Sequence, residues 1–404
     1  MKLNTNMIGV SAIFAALIFT ACNKTGIKSP ESSSETPQLN LQEKMTENGS
    51  NPDEAIFAKP GTNNLSNHFY IESNLKSGNS VLVFAQKPGG QLILEDEVRS
   101  GGYGYGEALG TQGALAVSKN DNLLFAVNAG SNSISSFRIN PVTGGLKLLF
   151  SVATSGQVPA SLTIHGNKLY VLNNLTSTIN GYTFNANGFL TPIAGSEHIL
   201  SGMNVDAAQI KFSPDGLALY ITEKKTNIID KFNLDAGGMI ISSQQITSHG
   251  IEPFGFDFAR ENKYMIVSNA ANGFSGAGSA TSYKFSATGL DNISGPISNY
   301  QSAPCWLATT QHGVYAYVAN TATNNISSYY IDPNGALTLI KTIAAEHDGK
   351  APIDIAISAD NKFAYQLYAG SYSVVSYKRM PAGVIEYSDK ITALPKTATG
   401  LAVY

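Results

Sequence analysis

Two carboxylates, two amides, a hydroxyl and an indole are the side chains in this sequence best suited to act together on a small molecule: Glu223, Asp354, Gln209, Gln112, Ser161 and Trp306. A carboxylate can take a proton from water, amides and hydroxyls can donate to a developing oxyanion, and an indole can stack on a sugar or another flat ring. Most of them open an alternating apolar stretch, as Thr399 does near the C-terminus, while Glu223 closes one. Other residues carry less. Cys305 stands beside Trp306 with no histidine near it in sequence and reads as buried and structural. His68, His165, His198, His249, His312 and His347 show no metal-ligand spacing, so no metal and no cofactor is expected.

The elements that must position these residues come from a repeat. An aromatic or aliphatic strand ends in a polar residue, and an aromatic follows nine residues later: Asn128 with Phe137, Asn173 with Tyr182, Glu223 with Phe232, Asn320 with Tyr329. Looser copies surround Asn269 with Tyr283, which carries the insertion Gly273 to Gly278, and Tyr368 with Tyr377. Asn74 with Phe84 reads as the first copy, which sets a period of about 49 residues. Another alternating strand precedes each later marker, as in Leu162-Thr163-Ile164 and Ile355-Ala356-Ile357, and glycines such as Gly188 and Gly335 suit tight turns between antiparallel strands.

Four short strands per unit predict an all-β, seven-bladed β-propeller of four-stranded antiparallel blades over residues 68–404. Leu401-Ala402-Val403 matches the first strand of a blade with nothing after it, whereas the first copy lacks that strand. The C-terminal strand is therefore expected to complete blade 1 and close the ring. In such a ring the candidate residues would encircle the mouth of a central channel. The run Gly101 to Gly106 precedes a strand rather than opening a helix, so it is expected as a loop over that channel and not as a phosphate cradle.

Composition agrees and excludes alternatives. The 404 residues hold 38 Gly, 19 Tyr and 18 Phe, which favours turn-rich β-structure. Charged residues make up 14% and the net charge is −3, which excludes an electrostatic nucleic-acid binder. Two cysteines supply neither a disulfide framework nor a Cys-rich zinc site.

The N-terminal part reads as an address and a tether. Lys2, the apolar run from Met7 to Phe19 and the box Phe19-Thr20-Ala21-Cys22 give residues 1–22 the character of a leader. The box resembles that of bacterial lipoproteins, which implies lipid on Cys22 after cleavage, a membrane partner through that lipid, and a place in the bacterial cell envelope. Residues 23–67, rich in Ser, Pro and Glu, are expected to be a disordered tether spanning roughly 35 to 40 Å.

The repeats Tyr-Val-x-Asn, the segment Phe212-Ser213-Pro214-Asp215-Gly216 and the run Ala303-Pro304-Cys305-Trp306 make residues 68–404 resemble the lactonase, or 6-phosphogluconolactonase-like, propellers. The resemblance implies lactone hydrolysis by an Arg-His pair opening the inner strand of a central blade and a Glu ending the next strand. Glu223 matches that Glu, but Ala208 and Gln209 stand at the Arg and His positions, and Ala160 and Ser161 stand where a further His is implied near Pro159. An amide donates a hydrogen bond but does not replace imidazole as a base. Two readings follow. One is an exported scaffold that binds a sugar-like molecule or a protein partner at the funnel of Gln112, Ser161, Gln209, Glu223, Trp306 and Asp354. The other is a lactone hydrolase with a rearranged site, using Glu223 or Asp354 as base.

Overall fold

A computed structural model describes residues 51–53, 67–287, 289–346 and 348–404. The leader with Cys22, most of the tether and His347 lie outside the described residues. Within the expected tether, Asp53 is fully buried against the propeller.

Residues that alternate in sequence alternate between the two faces of a strand, and stacking seven such sheets buries both faces of each. The inner strands are Thr399–Val403 in blade 1, Leu115–Ser118 in blade 2, Pro159–His165 in blade 3, Ala207–Phe212 in blade 4, Pro253–Ala259 in blade 5, Pro304–Thr309 in blade 6 and Pro352–Ile357 in blade 7. Neighbouring inner strands touch in that order, and blade 7 touches blade 1. Each blade then steps outward through a second, a third and an outer antiparallel strand. In blade 3 the outer strand is broken into Leu190–Pro192 and His198–Ile199, both paired with Thr178–Phe184.

Ring closure follows the expectation. Thr399–Val403 runs antiparallel to Asn67–Glu72, with Phe69 opposite Val403, Tyr70 opposite Ala402 and Ile71 opposite Leu401. The start of the first repeat does not. Glu72, not Asn74, ends the second strand of blade 1, at the place held by Asn128, Asn173, Glu223, Asn269 and Asn320 elsewhere. Asn74 lies two residues further on and organises the glycine run: Tyr105 N donates to its Oδ1 at 2.6 Å, and its Nδ2 donates to Glu107 O at 2.7 Å. A Cβ on Gly104 would stand 2.0 Å from the Asn74 carbonyl carbon, so this approach requires glycine. The run 101–106 thus covers the junction of blades 1 and 2, and it is the residues after it that reach the channel.

The blades are held together by apolar packing and by tyrosines. Tyr220 and Ile229 of blade 4 pack with Phe256, Met265, Val267 and Tyr283 of blade 5, all buried. Each such side chain contributes about 1.5–3 kcal/mol. Second-strand tyrosines reach the hairpin turn of the following blade: Tyr70 Oη donates to Gly144 O at 2.8 Å, Tyr170 to Gly238 O at 2.5 Å and Tyr264 to Pro333 O at 3.4 Å. A tyrosine here fills the core with its ring and satisfies a turn carbonyl with its hydroxyl.

Candidate functional site

An inner strand has a ladder partner on one edge only, so the N–H groups of its channel edge need other acceptors. Polar side chains of the inner strands supply them, the expected Ser161, Gln209 and Asp354 together with Thr163 and Asp257. Ser161 Oγ accepts from Ile210 N at 3.2 Å, Thr163 Oγ1 from Phe212 N at 2.9 Å and Gln209 Oε1 from Phe256 N at 2.7 Å. Asp257 Oδ2 accepts from Thr309 N at 3.1 Å, and Asp354 Oδ2 from Gly400 N at 2.9 Å. Blades 3, 4, 5 and 7 thus each cap the inner edge of the blade that follows. Thr399 instead pairs with Glu72, and its neighbour Gly400 meets Asp354.

The segment Leu109 to Gly113, which leads into blade 2, crosses the axis as a stopper. Gln112 N donates to Ala208 O of blade 4 at 2.9 Å, and Thr111 Oγ1 to Ala160 O of blade 3 at 2.8 Å. The Gln112 side chain pairs with the backbone of Leu307 in blade 6: Nε2 donates to its O at 2.7 Å and Oε1 accepts from its N at 3.1 Å. Trp306 Nε1 donates to Thr111 O at 3.0 Å, leaving the indole 3% exposed. Gln112, Ser161, Gln209, Trp306 and Asp354 therefore spend their polar atoms on a hydrogen-bonded layer across the inner strands rather than leaving them free to line a ligand funnel. The geometric reason is that channel-facing backbone must be satisfied before any ligand can be.

Glu223 is spent in a different way. Its Oε1 accepts from Ser201 N at 3.1 Å, and its Oε2 accepts from the hydroxyls of Ser201 and Thr226. Asp230, seven residues on, accepts from the same Ser201 N–H at 3.1 Å. Burial, and then the adjoining Glu223 carboxyl, hold Asp230 far above the usual carboxylate range, so it keeps its proton and shares it with Glu223. The same clasp recurs where Asn128 Nδ2 donates to Ser135 Oγ, Asn173 to Asn180 Oδ1 and Asn320 to Ser327 Oγ, each at 2.8 Å. The polar residue of the repeat ties the second strand to the third, and Glu223 is the blade 4 version. Asp354 is likewise committed: burial raises it to about 7 against the pull of the Gly400 and Gly113 amides.

A cluster that sequence reasoning missed lies beside the stopper. The residue preceding each of five inner strands is left-handed: Val158, Asp206, Glu252, Ala303 and Ala351, with φ between 50° and 57°. Two of these, in adjacent blades, are acids. Between them Lys224 Nζ lies 3.0 Å from Asp206 Oδ1, donates to Gly110 O at 2.8 Å and sits 5.0 Å from the centre of the Phe254 ring. Lys224 is itself buried, whereas Asp206 and Gly110 beside it are partly exposed. Glu252 is 4% exposed and its Oε2 has no hydrogen-bond partner. Burial lifts its carboxyl to about 7, with Lys224 and the Asn272 amide pulling the other way and Asp206 adding to the rise. The sequence signal was acids at one repeat position in consecutive blades, Asp206 and Glu252; the left-handed backbone there, which non-glycine residues rarely adopt, is seen only in the structure.

Arranged in this way, the cluster holds a carboxyl poised at neutrality, an ammonium, and two aromatic walls in Phe254 and Trp306, whose ring centres are 4.8 Å apart. Among the described residues, no group of three or more His, Cys, Asp or Glu side chains is placed to hold a metal ion.

The fold and its last-strand closure define a seven-bladed β-propeller. The family model described as lactonase, 7-bladed beta-propeller, matches residues 31–167 and 164–274, more than half of the sequence, and the chain belongs to that family. No curated protein sequence matches it significantly. Among solved structures it is similar to a Bacteroides fragilis protein proposed to be a 6-phosphogluconolactonase, with TM-score 0.66 and 18% identity over 86% of this chain and 100% of that one. It is also similar to the periplasmic gluconolactonase PpgL of Pseudomonas aeruginosa, with TM-score 0.66 and 16% identity over 84% and 99%. A Lactobacillus plantarum protein gives TM-score 0.67 and 18% identity over 84% and 100%. At such identities the likeness establishes the fold.

Proposed function

We propose that this chain is a lactone hydrolase whose site is rearranged around Glu252 and Lys224, acting on a sugar-like lactone. The observation that carries the reading is the buried Glu252 carboxyl, held at about 7 with Oε2 unpartnered, in the field of the Lys224 ammonium that Asp206 pairs. Glu252 takes a proton from water as the water oxygen bonds to the lactone carbonyl carbon. The Lys224 ammonium holds the oxyanion that develops. The acyl–oxygen bond of the ring then breaks, and Glu252 returns the proton to the departing ring oxygen, leaving a hydroxy acid. The scaffold reading has less support, because the ring of polar groups it relied on is committed to strand edges and to the stopper.

A lactone panel on purified variants tests this. Glu252→Gln should lower turnover at least about 100-fold, the scale of general-base catalysis, while binding persists, since the amide keeps the shape and loses the basicity. Glu223→Gln should leave turnover within about threefold of the parent. The reverse pattern would return the base to Glu223 and overturn the proposal.

We further propose that the enzyme works outside the cytoplasm, in the bacterial cell envelope, held at the bilayer by lipid on Cys22. The run Met7 to Phe19 and the box ending at Cys22 support this. Mass spectrometry should find a lipid-modified cysteine at the mature N-terminus; an unmodified terminus at another residue would sink the idea.

A further inference from the structure

The Asp53 carboxylate lies far in sequence from every group that donates to it. Its Oδ1 accepts from His312 N at 3.1 Å and from Asn361 Nδ2 at 2.8 Å. Its Oδ2 accepts from Val314 N at 2.9 Å and from the Thr310 hydroxyl. Two residues earlier, Asn51 Nδ2 donates to Tyr315 Oη at 2.9 Å, while Asn51 Oδ1 accepts from Asp53 N at 3.0 Å and sets the bend through Pro52. The carboxylate is fully buried, and both of its oxygens face donors.

The place of this socket matters. The blade 6 inner strand starts at Pro304, beside the stopper and the Lys224–Glu252 cluster, and ends at Thr309. The turn 310–314 follows it and therefore sits on the opposite face of the ring. Asn361 lies in the matching turn of blade 7, between Pro352–Ile357 and Phe363–Tyr368. One side chain from outside the repeats thus bridges two blades on the face away from the candidate site.

We propose that residues 51–53 are a latch, that turn 310–314 with Asn361 is a carboxylate socket for Asp53, and that the N-terminal arm leaves the ring on the face opposite the site. The chemistry selects aspartate. Four donors converge on two oxygens, so an amide at this position would point its NH2 at N–H groups, and alanine would leave the Val314 and His312 amides without acceptors. The consequence is local: Asp53 ties blades 6 and 7 together on the face away from Glu252.

Hydrogen exchange on the full-length protein tests the latch, with Asp53→Ala and Asp53→Asn compared against the parent. In both variants the His312 and Val314 amides should exchange at least about tenfold faster, while the Ile221 and Phe232 amides of blade 4 keep their protection. Unchanged exchange at His312 and Val314 would show that the segment is not docked in solution. A uniform loss of protection reaching blade 4 would make it part of the core and not a latch. A photo-crosslinking residue placed at Ser50 supplies the direction: adducts within 310–315 or 358–362 are expected, and adducts on Met203, Ile251 or Tyr300 of the other face would overturn the proposal.

Discussion

Glu223 and Glu252 are both buried glutamates on the same side of the ring, yet their surroundings give them opposite characters. Glu223 accepts three hydrogen bonds and shares the Asp230 proton, so every oxygen is occupied by the fold itself. Glu252 keeps one oxygen unpartnered and titrates at about 7, because desolvation outweighs the attraction of Lys224. The pH dependence of turnover follows with a definite sign. The base form of Glu252 is the unprotonated one, so kcat/KM should rise with pH and level off above about 7. A rate that is flat between pH 5 and 9 on the lactone that reacts best would remove Glu252 from the role of base.

At the level of elements, the stopper decides what the channel can hold. Gln112 reaches Leu307 across the axis because Gly255, the blade 5 residue at that level, leaves the room. A Cβ on Gly255 would stand 2.2 Å from Gln112 Oε1 and 2.8 Å from Cys305 O, and since the backbone carbonyl is fixed, the Gln112 side chain must give way. Gly255→Ala should therefore expel the Gln112 side chain and strip the Leu307 backbone of its partners. Chemical denaturation should record a loss of about 1–3 kcal/mol, the usual cost of overpacking. An alanine variant as stable as the parent would mean that the stopper bears little on the ring.

At the scale of the whole ring, four buried acids among the described residues have raised carboxyls: Glu72 and Asp230 well upward, Glu252 and Asp354 to about 7, each chiefly by burial. A group whose folded-state value is raised favours folding below its unfolded value and loses that contribution as pH rises through the folded one. Their unfolded values are 3.8 and 4.5, so stability should fall between about pH 5 and 8. The lowered carboxylates Asp215 and Asp257 act below that window, and His68, lowered by burial, opposes the trend as one group against four. A melting temperature higher at pH 5.5 than at pH 8.5 is expected; equal values, or the reverse order, would show that these acids find relief in solution.

What could be read without the structure was whatever is local and periodic. Strand alternation, aromatics nine residues after a polar strand end, and an orphan strand at Leu401-Ala402-Val403 were enough for seven blades and their closure, because each blade repeats the same local solution to burying two faces. The first marker slipped from Glu72 to Asn74 since the clasp needs a polar group and not one residue type. The use of each polar side chain was decided by tertiary structure alone. Gln112 and Leu307 stand 195 residues apart, and Asp53 and Asn361 stand 308 apart. No spacing in the chain announces such pairs. Whether a buried carboxyl is an edge cap, a clasp, a latch or a base depends on the donors and charges that other blades bring within about 4 Å and on how much water they exclude. Those are properties of the closed ring.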